Sequence, residues 1–190
     1  MTSEHIRHRD EGLVLQRELM SSILTTGQVL DDEHWSRTTT CPPWSVRDLI
    51  AHLARGAETF SAMLEAGLRG ERTLSISLEE REQRQRDLSA LTERELLTTV
   101  RSSQEVLQEK LARLEGDALE ALCPHTRGLQ PAWWFVDQRL SELAFHGWDL
   151  HVSLGTEREI PPAVGRFLLP TLLTRNLPTW SKATGEVNAL

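Results

Sequence analysis

Apolar residues recur along this chain at helical spacing, and almost nowhere with the alternation of a half-buried strand. Leu13, Met20, Ile23 and Leu30 share one face of a first helix, expected over about His8–Leu30. A loop with Trp35, three successive threonines and Pro42-Pro43 is expected to follow. Ser45 then stands where an N-cap belongs, with Asp48 at the capping-box position and Trp44 and Leu49 placed as a hydrophobic staple. Behind that start, Val46, Leu49, Ile50, Leu53, Ala57, Phe60 and Leu64 form a continuous apolar stripe.

The segment Ser77–Asp87 is almost wholly charged or amide and reads as a solvated helical turn or a loose linker. Thr92 with Glu95 opens another helix, to about Leu114, carrying Leu96, Val100, Leu107 and Leu111. A loop holds Cys123, Pro124 and His125. Pro131 is expected in the first turn of a helix that stops at Gly155, and Pro161-Pro162 begin a shorter last one, interrupted near Pro170. The tail after Trp180 is polar and expected to fray. Four principal helices with one long connection predict an all-α four-helix bundle over 1–156, followed by a C-terminal helix and tail over 157–190.

The Pro131–Gly155 helix is apolar on two sides. Ala132, Val136, Leu140, Leu143, Gly147, Leu150 and Leu154 make one stripe; Trp134, Phe145, Trp148 and Val152 make the other. Such a helix is central or lies at an interface, which leaves room for a homodimer. Between the stripes run Arg139, Glu142, His146, Asp149 and Ser153. A polar strip on an otherwise apolar helix must be paired, wet or metal-bound, because unpaired buried charge is costly. Glu142 and His146 are one turn apart, so their side chains meet. His52 sits on the shoulder of its own stripe, with Gly56 one turn on leaving space beside the imidazole.

Two imidazoles and a carboxylate can hold a divalent metal at three corners and leave the fourth open for chemistry. Arg139 and Asp149 flank the candidate ligands and could orient them. Without a metal, Glu142 and His146 read as a surface pair and His52 as a satisfied histidine. His125 could approach the mouth of such a site; His151, His5, His8 and His34 read as packing or solvated residues. Trp133 and Trp134 read as core or as a pocket wall.

Composition narrows the function classes. The 190 residues suffice for one domain with a real core. The net charge of −7 comes without a basic stripe, which argues against nucleic acid as a partner. No apolar run approaches the length a bilayer requires, and the start MTSEHIRHRDEG is too polar for a secretory signal. Cys41 and Cys123 show no paired spacing, so a reduced, cytoplasmic protein is expected. Cys41, in a loop beside Pro42 and Pro43, could be a reactive thiol, but with no base placed beside it the residue reads as a half-buried loop cysteine.

Two stretches carry a family resemblance: CPPWSVRDLIAHL, from Cys41 to Leu53, and RLSELAFHGWDL, from Arg139 to Leu150. In order and separation they resemble the DinB/YfiT-like metalloprotein superfamily, and more narrowly the amino-terminal domain of mycothiol-dependent maleylpyruvate isomerases. The resemblance implies that His52, Glu142 and His146 bind a catalytic zinc ion. It also implies that mycothiol or another low-molecular-weight thiol binds the zinc as thiolate and attacks a small electrophile, in S-transfer or isomerisation. Two-domain members carry a further carboxy-terminal domain that contributes to the site. Here only a short extension follows, so the particular isomerisation is not implied, and Arg139 or Arg55 is the candidate for the missing cation. Three other readings stand beside this one: a thiol-independent metal hydrolase or lyase, a non-haem iron oxygenase, and a non-catalytic dimeric module joined through Trp134 and Trp148.

Overall fold

A computed structural model describes residues 2–74, 76–156 and 159–176. The first helix, α1, runs Thr2–Gly27, beginning earlier than its apolar stripe announces. A short α2, Asp32–Ser36, occupies what the sequence suggested was loop; Asp31 caps it and Trp35 anchors it in the core. The next helix, α3, covers Val46–Leu68, and its capping box is formed as expected: Ser45 accepts from the Asp48 amide and Asp48 accepts from the Ser45 amide.

The charged segment is also a helix, α4, spanning Leu78–Ser89 behind a complete Ser77–Glu80 capping box. It has no apolar stripe to reveal it, because Leu88 is its single buried residue. Polar contacts dock it instead. Arg84 forks onto Glu58, Gln85 donates to the Asp48 carbonyl, and Ser89 donates to the Asp48 carboxylate.

Helix α5, Glu93–Ala112, follows its Thr92–Glu95 box. A 3-10 turn, Gly116–Glu120, leads into two tiny antiparallel strands, β1 Leu122–Cys123 and β2 Gln130–Pro131. Pro131 therefore closes a hairpin rather than opening a helix. Helix α6 begins at Trp134 and ends at Ser153. Gly155, at φ +71°, terminates it: the Thr156 amide donates to His151 O and the Gly155 amide to Val152 O, the paired bonds of a Schellman cap. Helix α7, Pro162–Thr171, continues as a wider π-type turn over Leu172–Asn176. The tail after Trp180 lies outside the described residues.

Helices α1, α3, α5 and α6 form an all-α bundle in which α3 packs on α5 and α6, and α1 packs on α5 and α6. Its interior divides into two apolar clusters. One holds Phe60, Leu64, Leu107, Leu111, Phe135 and Leu140. The other holds Ile23, Leu49, Leu53, Val100, Leu143 and Leu150.

Between the clusters lies a buried polar layer. Gln16 donates to Val136 O, Gln104 to Gln16 Oε1, and Arg139 Nε to Gln104 Oε1 at 2.7 Å. Helices α1 and α5 give this layer Gln16 and Gln104, each lying between its helix's contributions to the two clusters, and α6 gives it Arg139 and the Val136 carbonyl. A buried chain of this kind is tolerable only when every member is partnered.

The far end of the bundle has its own polar anchor. Asp137, 1% exposed, accepts from Thr171 and faces His8 Nε2 at 2.6 Å, while the His8 ring stacks on Phe167 at 4.2 Å. Helices α1, α6 and α7 are joined there. The bond to Asp137 raises the His8 pKa above its ordinary value against the opposing effect of burial. A raised folded-state pKa stabilises fully below the unfolded value, near 6.5, and the contribution is lost as pH rises through the folded value. The stability difference between wild type and His8→Gln should therefore be largest in mildly acidic solution and shrink above neutrality. Urea melts across pH check this; a difference that grows with pH would contradict it.

Candidate metal centre

The site lies between α3, α6 and the loop that precedes α3. That loop is closed by its own backbone: the Thr39 amide donates to Trp44 O at 2.8 Å and the Val46 amide to Arg37 O at 2.9 Å. Thr39 Oγ1 donates to Trp44 O and accepts from the Cys41 amide. The closure presents Thr40, Cys41 and Trp44 to the helices.

His52, on α3, and His146, on α6, meet edge to face with ring centroids 4.9 Å apart. Trp44 covers both, 4.7 Å from His52 and 6.2 Å from His146. The expected staple residue is thus also the aromatic wall of the site.

Each imidazole has a partner at Nδ1. Arg55 donates to Nδ1 of His52 at 2.7 Å, and Nδ1 of His146 lies 3.0 Å from Asp149 Oδ2. A carboxylate can only accept and a guanidinium can only donate, which assigns the two tautomers. His146, donating from Nδ1, keeps Nε2 free for a ligand, whereas His52, accepting at Nδ1, carries its proton on Nε2. Burial foremost, then His146, Arg55 and Arg139, push the His52 pKa down to about 2. His52 is accordingly a neutral imidazole, the form a metal requires.

Asp149 is a hub. Besides His146 it takes Thr40 Oγ1 at 2.6 Å and Cys41 Sγ at 3.3 Å. Among the described residues, Cys41, His146 and Asp149 offer ligand atoms that all lie within 4.8 Å of one another. The sequence placed no base beside Cys41; the fold puts both a carboxylate and an imidazole there. Burial, then Asp149, pushes the thiol pKa up, so Cys41 is the protonated donor of that contact.

Glu142 lies one turn along α6 from His146 but turns toward the polar layer. Its Oε2 accepts from Arg139 at 3.1 Å, and the pair occupies the space Gly56 leaves on α3. A Cβ at Gly56 would stand 3.0 Å from both Arg139 and Glu142. The gap expected beside the imidazole thus serves this ion pair. Arg139 is fully buried, with its remaining donors on Gln104 and Leu53 O at 2.9 Å. Every nitrogen of Arg139 has a protein acceptor, which makes it a structural clamp. Arg55 is the more accessible cation, with Nε on Gln85.

The donor chemistry fits a divalent metal: two imidazoles in contact, one held neutral by burial, with a carboxylate orienting the other and a second carboxylate one turn away. Of the proposed ligands, the fold brings His52 and His146 together and sets Glu142 beside Arg139. His125, considered for the mouth, packs instead against Phe60, Trp134 and Phe135, and burial pushes its pKa down to about 4. Trp134 is 3% exposed and belongs to the core. Among the described residues, no helix is long and apolar enough to cross a membrane.

Comparison with known proteins bears on the fold and the family. Two solved structures, of the mycothiol-dependent maleylpyruvate isomerase and of a histidine-to-alanine mutant of it, each superpose with a TM-score of 0.72. They are 23% and 22% identical to this chain, and the alignments cover 84% of it and 67% of each of them. No curated protein matches. The sequence profile of the mycothiol maleylpyruvate isomerase N-terminal domain matches residues 17–151, which takes in the loop of Cys41 and Trp44, His52 and His146, and the polar strip of α6 from Arg139 to Asp149. On that match the chain belongs to the mycothiol maleylpyruvate isomerase N-terminal domain family.

Proposed function

We propose that the protein is a zinc-dependent transferase or isomerase that activates a low-molecular-weight thiol, mycothiol or a relative, for attack on a small electrophile. The observation that carries the reading is the His52–His146 contact, with His146 fixed through Nδ1 by Asp149. His52, His146 and Glu142 are the proposed ligands. Zinc, when bound, would strip the proton from a coordinated thiol and so supply a strong nucleophile at neutral pH.

The remaining work falls to the chain's own residues. Asp149 holds His146 in the tautomer that keeps Nε2 free. Trp44 walls the imidazoles off from solvent on one side. A metal-bound imidazole at His52 carries its proton on Nδ1, where a donor would face a donor, so Arg55 must turn away on loading. The freed guanidinium, on its Gln85 tether, is then the cation proposed to meet an anionic group on the electrophile. Arg139 cannot take that role without abandoning the core. The bundle, 1–156, is proposed as the catalytic unit and 157–190 as its extension, in a cytoplasmic protein.

The test is turnover of a panel of small electrophiles with and without added thiol, before and after verified zinc removal. Product is expected only when both thiol and zinc are present. Equal turnover without thiol would move the assignment to a metal hydrolase or lyase. Full activity after complete metal removal would overturn it. An exposed stripe beside the site, Phe145, Trp148 and Val152, keeps the dimeric module as a second reading; unimpaired self-association in inactive ligand variants would favour it.

A further inference from the structure

We propose that Cys41 is a further protein ligand of this metal centre, whose sulfur covers the open corner until an incoming thiol replaces it. The inference rests on the metal reading above and adds a donor to it. Cys41 Sγ, a ring nitrogen of His146 and a carboxylate oxygen of Asp149 lie within 4.8 Å of one another, which sets the sulfur beside one of the two imidazoles proposed to bind the metal. Sulfur and imidazole are the donors that zinc takes together most readily. The thiol is also held in place, since the Cys41 amide donates to Thr39 Oγ1 at 3.2 Å and the Cys41 carbonyl accepts from the Trp44 amide at 3.0 Å. The chain's other thiol is excluded: Cys123 is buried at the opposite cluster, against Gly67.

The consequence is a guarded site. With Cys41 in place, the corner needed for chemistry is filled by the chain's own sulfur rather than by water or a stray ligand. An incoming thiol gives up its proton as it takes the position, and Cys41 leaves carrying one. Sulfur replaces sulfur, nothing is oxidised, and no net proton is released. Asp149, already in contact with Cys41, is placed to pass the proton across. Exchange of this kind favours a thiol over oxygen nucleophiles as the entering group.

Cobalt(II) in place of zinc tests this without an activity assay, because sulfur bound to cobalt gives an intense charge-transfer absorption in the near ultraviolet that nitrogen and oxygen donors lack. The full chain and its Cys41→Ser variant would be loaded with cobalt in the absence of any added thiol. The band is expected in the wild type and lost in Cys41→Ser at unchanged cobalt content, and it should return when mercaptoethanol is added to the variant. Stoichiometric cobalt with no band in the wild type, or a band that survives in Cys41→Ser, would overturn the role of Cys41 while leaving the metal centre standing. Failure of both proteins to bind cobalt would remove the metal centre itself, and this inference with it.

Discussion

Replacing Arg139 by Met is expected to cost about 3–5 kcal/mol of stability, the range for breaking a buried ion pair from one side. In a chain of this size that corresponds to a fall in melting temperature of roughly 6–20 °C. The reason is what the substitution leaves behind. Glu142 loses the donor to Oε2, Gln104 loses the donor to Oε1, and the Leu53 carbonyl loses its bond, all at or near the centre of the bundle. Methionine fills much of the volume, so the loss would measure unpaired polar groups rather than a cavity. Adding Glu142→Leu to Arg139→Met should recover part of the loss, since the stranded carboxylate is then gone. Thermal melts of the two variants decide it: a single variant as stable as wild type would show that the polar layer is not held through Arg139.

The second large effect is expected at Asp149, in binding rather than stability. Asp149→Asn keeps the shape of the side chain but replaces one accepting oxygen with a donor. Thr40 donates to one oxygen of the present carboxylate and Cys41 and His146 face the other, so the amide nitrogen must turn either to Thr40, whose hydroxyl can reverse and accept, or to Cys41 and His146. If His146 is the one opposed, its proton shifts to Nε2 and the ring ceases to be a ligand. Loss of an orienting carboxylate behind a metal-bound histidine typically weakens affinity about 10–100-fold. Competition against a chromophoric chelator should show a loss of that size. Unchanged affinity would mean that His146 is oriented by packing against Trp44 and His52 alone.

What the sequence revealed of this molecule follows from how far apart the cooperating residues lie. The boxes Ser45–Asp48 and Thr92–Glu95 are local events, legible wherever an apolar stripe follows to confirm them. Ser77–Glu80 has the same form but no stripe behind it to confirm it, because its helix buries only Leu88 and is held by polar contacts with α3. The hairpin of β1 and β2 has two residues in each strand, too few for any alternation to register. The family resemblance is what pairs His52 with His146, since helical register by itself fixes only the face each occupies on its own helix. The turning of Glu142 toward Arg139 could not be anticipated, since both readings put it on the same face of α6.

Cys41 shows the limit most clearly. It is separated from Asp149 by 108 residues, and the conformation of a proline-containing loop decides whether they meet. Thr39 was legible only as one of three threonines, yet its hydroxyl holds that loop closed. Trp44 had a sufficient local explanation as a staple, which concealed its place over the imidazoles.

The central claim is that His146 is a ligand in a zinc centre, and elemental analysis of untagged protein, wild type beside His146→Ala, tests it most directly. His146 is only partly buried, so the variant should fold, and its circular dichroism would confirm that. Close to one zinc per chain in the wild type, lost in His146→Ala, is the expected result. Zinc-supplemented wild type with no bound metal, or a folded His146→Ala that keeps it all, would contradict the account.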